Sequence, residues 1–245
     1  MKKSWLSDQK YQQFGYRDDI PLMCLKFSDT EENIKNIKNG TMYMNSLDFF
    51  ANLKPCNGMS DELEGGRIEA DGKINYNKIF SCSHMLCFVG LNLEHFLVTK
   101  TDSKGCPQKI KIDSDRFDLS KMKEEFGEYF IPLWYDKLSD GFIKYCNQNK
   151  IVGKLRNVLY IDILRPENKK IMDEMFDSND IDFCYMKREK FSNQQEIRML
   201  LLDGRKSNTE AITIELGNEI AVFETGVNPT DLLTQGLKVT YKYID

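Results

Sequence analysis

The chain has 245 residues, 41% of them apolar and 29% charged, with a formal net charge of −4. That length supports a sizeable core in one large domain or two small ones, and the mild acidity disfavours a general binder of nucleic-acid backbone. No run approaches the ~20 apolar residues needed to span a bilayer, and the opening Met1-Lys2-Lys3 turns polar too soon for a secretory segment, so a cytoplasmic location is expected.

Residues 22–27 form a short apolar run with Lys26 set into it, the pattern of an interior strand. Ser28-Asp29-Thr30-Glu31 fits a capping box for a helix whose apolar stripe is Ile34 and Ile37, and Gly40 is placed for a left-handed stop. Residues 41–45 restart extended structure. Residues 52–77 are rich in Gly, Asn, Asp and Glu, and a connection of that length is either a mobile lid or a loop that builds a site. Residues 78–93 are the strongest stretch for buried strand, with a break near Ser83-His84 as one option. Short strands are expected at 96–99 and 109–113, around a turn at Ser103-Lys104-Gly105.

Residues 117–126 and 166–176 have helical composition, the second opening on Pro166. Strands are expected at 142–146 and 157–164, then at 183–187, 196–202, 211–216, 220–223 and 237–243, with a short helix starting at Asn228-Pro229. Helices early and antiparallel strands late point to a single α+β domain rather than a doubly wound parallel sheet. Seven scattered cysteines without a CxxC read as reduced, buried thiols. The spacing of Cys82, His84 and Cys87 fits no zinc pattern, so no metal is expected.

The chemistry-bearing stretch is Phe191-Ser192-Asn193-Gln194-Gln195-Glu196-Ile197-Arg198. In extended structure Gln194 and Glu196 share one face, and Arg198 lies where it could pair with Glu196. A carboxylate beside an amide can bind ribose hydroxyls and stabilise a developing sugar cation, as N-glycosidic cleavage demands. The same residues also suit a strand whose polar face meets water. Ser81 and Ser83 are two hydroxyls on one face of an expected strand, able to hold a ribose or to bond nearby backbone. Asp61, Glu62 and Glu64 could coordinate a divalent metal in a hydrolase, though solvated loops carry such runs constantly. Lys187-Arg188-Glu189-Lys190 reads as a solvated turn.

The order of a strand with Lys26, a capped helix, Gly40 and then Tyr43-Met44-Asn45-Ser46 resembles the opening of ADP-ribosyltransferase-like domains. It is more similar still to a bacterial family with an L-Y-K-Y…N-G-x-L-Y-x-S…F-N-D opening, a middle C-F strand and a late E-x-E-x-R strand. The residues that carry this are Lys26, Phe27, Asn39-Gly40, Tyr43, Ser46, Phe49, Cys87-Phe88 and Gln194 to Arg198. Ser81-Cys82-Ser83 is similar to the Ser-Thr-Ser element of toxin-like transferases, and Gln194-Gln195-Glu196 to their Gln/Glu-x-Glu element. Two departures stand out. Lys26 takes the place of an Arg or His, and the span from Ser81 to Glu196 requires an insertion at about 96–157.

The resemblance implies a split, mostly antiparallel sheet with peripheral helices, similar to the ADP-ribosyltransferase fold. It implies a bacterial or phage conflict protein that transfers ADP-ribose from NAD to a macromolecule, or hydrolyses NAD. Glu196 and Gln194 would then be catalytic, while Lys26, Tyr43, Ser81 and Ser83 would contact NAD, which is substrate rather than resident cofactor. The rival expectation is a non-enzymatic inhibitor that binds a host macromolecule, supported by the acidic balance and an exposed acidic loop at 61–64.

Overall fold

The computed structural model of the chain describes residues 3–12, 20–53, 61, 63–202, 210–217 and 229–238. After the short helix α1 (Gln9–Gln12), the strand β1 (Met23–Ser28) buries all of its apolar residues and leaves Lys26 half-buried. The helix α2 (Glu31–Lys38) is capped by Thr30, whose hydroxyl accepts the Asn33 N–H at 3.3 Å. Ser28, expected as the cap, instead accepts from the Thr30 N–H and the Asn33 side chain. Gly40 follows at φ +87, as expected, and its missing Cβ leaves room for the Gly217 backbone. Strand β2 (Thr41–Ser46) and helix α3 (Leu47–Ala51) come next, with the Ser46 hydroxyl accepting the Phe49 N–H.

The 52–77 stretch is not a structureless loop. It contains a hairpin of β3 (Gly66–Ile68) and β4 (Ile74–Tyr76), docked by Arg67, which stacks on Phe176 and bonds Asp177 at 2.7 Å. Any lid formed by 54–60 and 62 lies outside the described residues. The expected strand at 78–93 divides into a helix α4 (Lys78–Ser81), capped by Asn77, and a strand β5 (His84–Leu91). Then come β6 (Phe96–Thr101), β7 (Pro107–Ile112), α5 (Leu119–Phe126) and β8 (Tyr129–Trp134). Pro132 is tolerated in β8 because, among the described residues, that strand pairs on one side only, with β1.

Residues 142–146, expected as strand, lie inside α6 (Tyr135–Asn149), where Leu138, Phe142 and Cys146 recur every four residues and bury one stripe. The chain continues through β9 (Val152–Asn157), β10 (Leu159–Ile161) and α7 (Pro166–Asp177). A 3-10 turn (Ile181–Tyr185), β11 (Met186–Arg188) and a second 3-10 turn (Glu189–Gln194) lead into β12 (Glu196–Leu202). Last are β13 (Ile212–Glu215), α8 (Pro229–Gln235) and β14 (Leu237–Lys238). The strand expected at 220–223 and most of that at 237–243 fall outside the described residues. Helices therefore run throughout the chain, but the class is α+β.

Among the described residues, seven strands form one antiparallel sheet. Its spine runs β13-β2-β5-β1-β8, and β12 joins the other edge of β5 and carries β9. The spine is divided. One edge of β5 pairs with β2 at His84 and Met85 and with β1 from Val89 to Leu91, while 86–88 between them pair only with β12. Helices α2 and α6 cover one face, packing Ile37, Leu138 and Phe142 on Met42, Met44, Phe88, Ile197 and Met199. The other face is covered toward β1 and β8 by the β6-β7-β14 sheet with α5 and α8. Toward β12 it carries α3, α4, α7 and the 181–185 turn around Phe80, Phe176 and Phe183. Residues 96–157 supply β8 and β9 to the main sheet as well as β6 and β7 to the smaller one.

Candidate functional site

Gln194 ends the second 3-10 turn and Gln195 takes a left-handed conformation at φ 47, so β12 begins at Glu196 rather than before it. The strand is anchored there from outside: the Glu196 N–H donates to the Tyr160 hydroxyl at 2.8 Å, and the Glu196 carbonyl accepts the Val158 N–H. Both oxygens of the Glu196 carboxylate are engaged. Arg198 Nε donates to Oε1 at 2.6 Å, and Lys187 Nζ donates to Oε2 at 2.7 Å. The Lys187 ammonium also donates to the Gln194 side-chain oxygen at 2.9 Å, so one cation ties the two residues expected to be catalytic. Arg198 is fully buried, and its Nη1 reaches Glu64 Oε1 and the Cys184 carbonyl, each at 2.5 Å.

Two carboxylates thus share one guanidinium, and their environments separate them. Burial acts to raise Glu196, but Arg198 and Lys187 together overcome it and hold the carboxyl well below the usual range. Among the described residues Glu64 has no second bonded cation, and burial prevails over Arg198 so that its pKa is raised. Burial would lower Lys187 and Arg198, and the facing carboxylates more than offset it. Beside this network Asp61, 3% exposed, pairs with Arg188 at 2.5 Å. The acidic loop expected at the surface is therefore, at Asp61 and Glu64, an interior one, since both carboxylates are consumed by arginine. Lys187, expected on a solvated turn, is buried for the same reason. Among the described residues no group of three or more His, Cys, Asp or Glu is placed to hold a metal ion.

A second, half-exposed layer lies alongside. Glu196, Val89 and Leu25 stand in one row across β12, β5 and β1. Lys26, the next residue on β1 and the partner of Ile131 on β8, is placed by strand alternation on the opposite face of the sheet from that row. Burial lowers the pKa of Lys26, and Cys87 and Glu196 partly counter that. Cys87 lies opposite Arg198 on the stretch of β5 left open by β1 and β2, and burial, then Glu196, pushes its thiol well up. Tyr160 is half-buried, and burial, then the Glu196 charge, raises its phenol so that it stays protonated.

The structure brings Gln194 and Glu196 together through Lys187 and leaves the other four expected site residues elsewhere, Lys26 on the opposite face of the sheet. Ser81 and Ser83 are not on a strand. They close α4, and their hydroxyls donate to the Asn77 and Ile79 carbonyls at 3.0 and 3.2 Å. Tyr43 faces outward from β2, 59% exposed, opposite Thr213 of β13. Sequence reasoning missed Tyr160, Lys187 and Glu64 as members of the cluster. The signal for Lys187 was its position between apolar Tyr185-Met186 and Phe191. Its ammonium stacks 5.0 Å from the Phe191 ring. Comparisons with protein-family models, curated proteins and solved structures found no match to this chain, so its chemistry is read from this geometry alone.

Proposed function

We propose that the protein transfers ADP-ribose from NAD to a macromolecular acceptor, or hydrolyses NAD, at the cluster around Glu196. The observation that supports this is the buried meeting of Gln194 and Glu196, a side-chain amide and a carboxylate held by one ammonium. In the reaction the bond from nicotinamide to ribose C1′ breaks with its electron pair leaving on nicotinamide. An acceptor nucleophile or water bonds C1′ and gives up its proton. A carboxylate can stabilise the sugar cation only if its charge is not already cancelled. Glu196 meets that condition when the Lys187 ammonium moves from Oε2 to a substrate phosphate, which frees one carboxylate oxygen.

The test is release of nicotinamide from NAD, with lysate as acceptor source, by the native protein and by Glu196→Gln and Lys187→Met, each confirmed folded by circular dichroism. Native activity that falls at least about a hundredfold in Glu196→Gln fits removal of a charge-stabilising group. Equal rates for native protein and Glu196→Gln would remove Glu196 from the chemistry.

A second reading is a non-enzymatic protein that binds a host macromolecule. Two observations favour it: both Glu196 oxygens are held by cations, and Tyr43, Phe49, Tyr76 and Ile79 are exposed on β2, α3, β4 and α4. Native protein that neither binds nor cleaves NAD would move the assignment to this reading.

A further inference from the structure

Arg198 holds its two carboxylates unevenly. Its Nε donates to Glu196 at 2.6 Å, and its Nη1 reaches Glu64 Oε1 and the Cys184 carbonyl, each at 2.5 Å. Nη2 belongs to the same wholly buried guanidinium and meets no acceptor among the described residues. A guanidinium is a planar fork that matches two oxygens of one anion, so Glu64, bonded through Nη1, leaves the other half of that edge unused. Glu64 itself gains little from the pairing, because burial outweighs Arg198 and the field of Lys187. The carboxylate is carried on a turn. The Leu63 N–H donates to the Asp61 carboxylate, the Glu64 N–H donates to the Asp61 carbonyl, and Asp61 is fixed by Arg188. A crevice beside this turn is lined by Asp61, Leu63, Ile161, Met186, Lys187 and Arg188. Its wall thus includes the lysine that holds Glu196.

We infer that Glu64 occupies the place of a ligand oxyanion, and that a phosphate group binds Arg198 by displacing it. A phosphate offers oxygens to Nη1 and Nη2 together, where Glu64 Oε1 takes Nη1. The displaced carboxylate returns to water, where its charge is better held. The incoming phosphate then lies in the field of Lys187, as Glu64 does in the closed state. The free protein is therefore closed by its own side chain, and its affinity is reduced to the fraction of molecules in which the turn is open. Glu64 is no catalytic residue in this scheme; it competes with the ligand. The inference rests on the NAD reading for the identity of that ligand, and deepens it by naming the group that receives a phosphate of the dinucleotide.

The experiment is calorimetric titration of the full chain with inorganic pyrophosphate and with NAD, on native protein, Glu64→Gln and a control, Glu189→Gln. Glutamine keeps the shape of Glu64 and removes the competing charge, so Glu64→Gln should bind both ligands at least about tenfold more tightly than native protein. Glu189 is exposed on the neighbouring 3-10 turn, and loss of its screened charge should leave affinity within about threefold of native. Hydrogen exchange on the native protein gives a second readout that needs no variant. Bound ligands ordinarily slow exchange at their site. Here saturating pyrophosphate should speed it at Leu63 and Glu64, whose N–H bonds to Asp61 must break. Equal affinity in native protein and Glu64→Gln, no binding to either at millimolar concentration, or unchanged or slower exchange at those two amides overturns the inference. The NAD reading fails separately. Pyrophosphate binding that tightens in Glu64→Gln, without nicotinamide release by native protein or variant, keeps the phosphate site and removes that activity. Nicotinamide release with the same KM in native protein and Glu64→Gln keeps the activity and removes this site.

Discussion

Glu196 ties its charge state directly to the stability of the fold. Its folded-state pKa lies below that of the unfolded chain, so on acidification the unfolded chain takes up the proton first and the folded state loses ground. The contribution is complete above the ordinary glutamate pKa of about 4.3 and is lost as pH falls below it. Glu196→Gln should therefore cost about 3–5 kcal/mol near neutrality, because Lys187 and Arg198 each lose a buried partner. The gap between native and variant should narrow steadily below about pH 4. Urea unfolding of both proteins at a series of pH values measures it, and a gap that stays constant on acidification would mean the carboxylate is not held low. Glu64 runs the other way, since burial raises it, so Glu64→Gln should cost less at neutral pH than Glu196→Gln.

At the scale of elements, the β1-α2-β2 unit sets the width of the open stretch on β5, and Gly40 governs where that unit turns. A side chain there would meet two objections at once. The residue holds φ +87, and an added Cβ would lie 2.2 Å from the Gly217 carbonyl oxygen, which is backbone and cannot rotate away. Gly40→Ala should destabilise by at least about 2 kcal/mol, combining left-handed strain with overpacking. For a chain of this size that lowers the melting temperature by roughly 4–8 °C, readable by calorimetry. Gly72→Ala serves as the comparison, with φ +82 but nothing within 4 Å, so a drop as large there would assign the whole effect to backbone strain. At the far side of the sheet β9 is an edge strand, and the Tyr185 and Tyr135 hydroxyls donate to its Lys154 and Leu155 carbonyls. Side-chain hydroxyls thus take up acceptors on a strand that has one strand neighbour among the described residues.

Across the whole molecule, what sequence disclosed was what periodicity and caps encode. The strands around Lys26 and Glu196, the Gly40 stop and the Pro166 helix all follow from local pattern. The 142–146 stretch was lost because a short apolar run looks the same in a buried helix and a strand until its flanks are counted; Leu138 supplies the missing i−4 member. Ser81 and Ser83 were misplaced because their neighbours Ile79 and Phe80 suit either state and the Asn77 cap decided it. Asp61, Glu64 and Lys187 looked like solvent-facing charges because burial of an ion pair depends on a partner remote in sequence, which no local window contains. That remoteness also has a kinetic side. The Glu64–Arg198 contact joins the segment before the β3-β4 hairpin to a late strand, and both charges must shed water before it forms. A contact made after the main barrier to folding brakes opening and does not aid closing, and the expectation for this non-local, desolvated pair is that late place. Glu64→Met should accordingly leave the refolding arm of a chevron in place and raise the unfolding rate. A variant that slowed refolding by the same factor would put this ion pair in the folding nucleus.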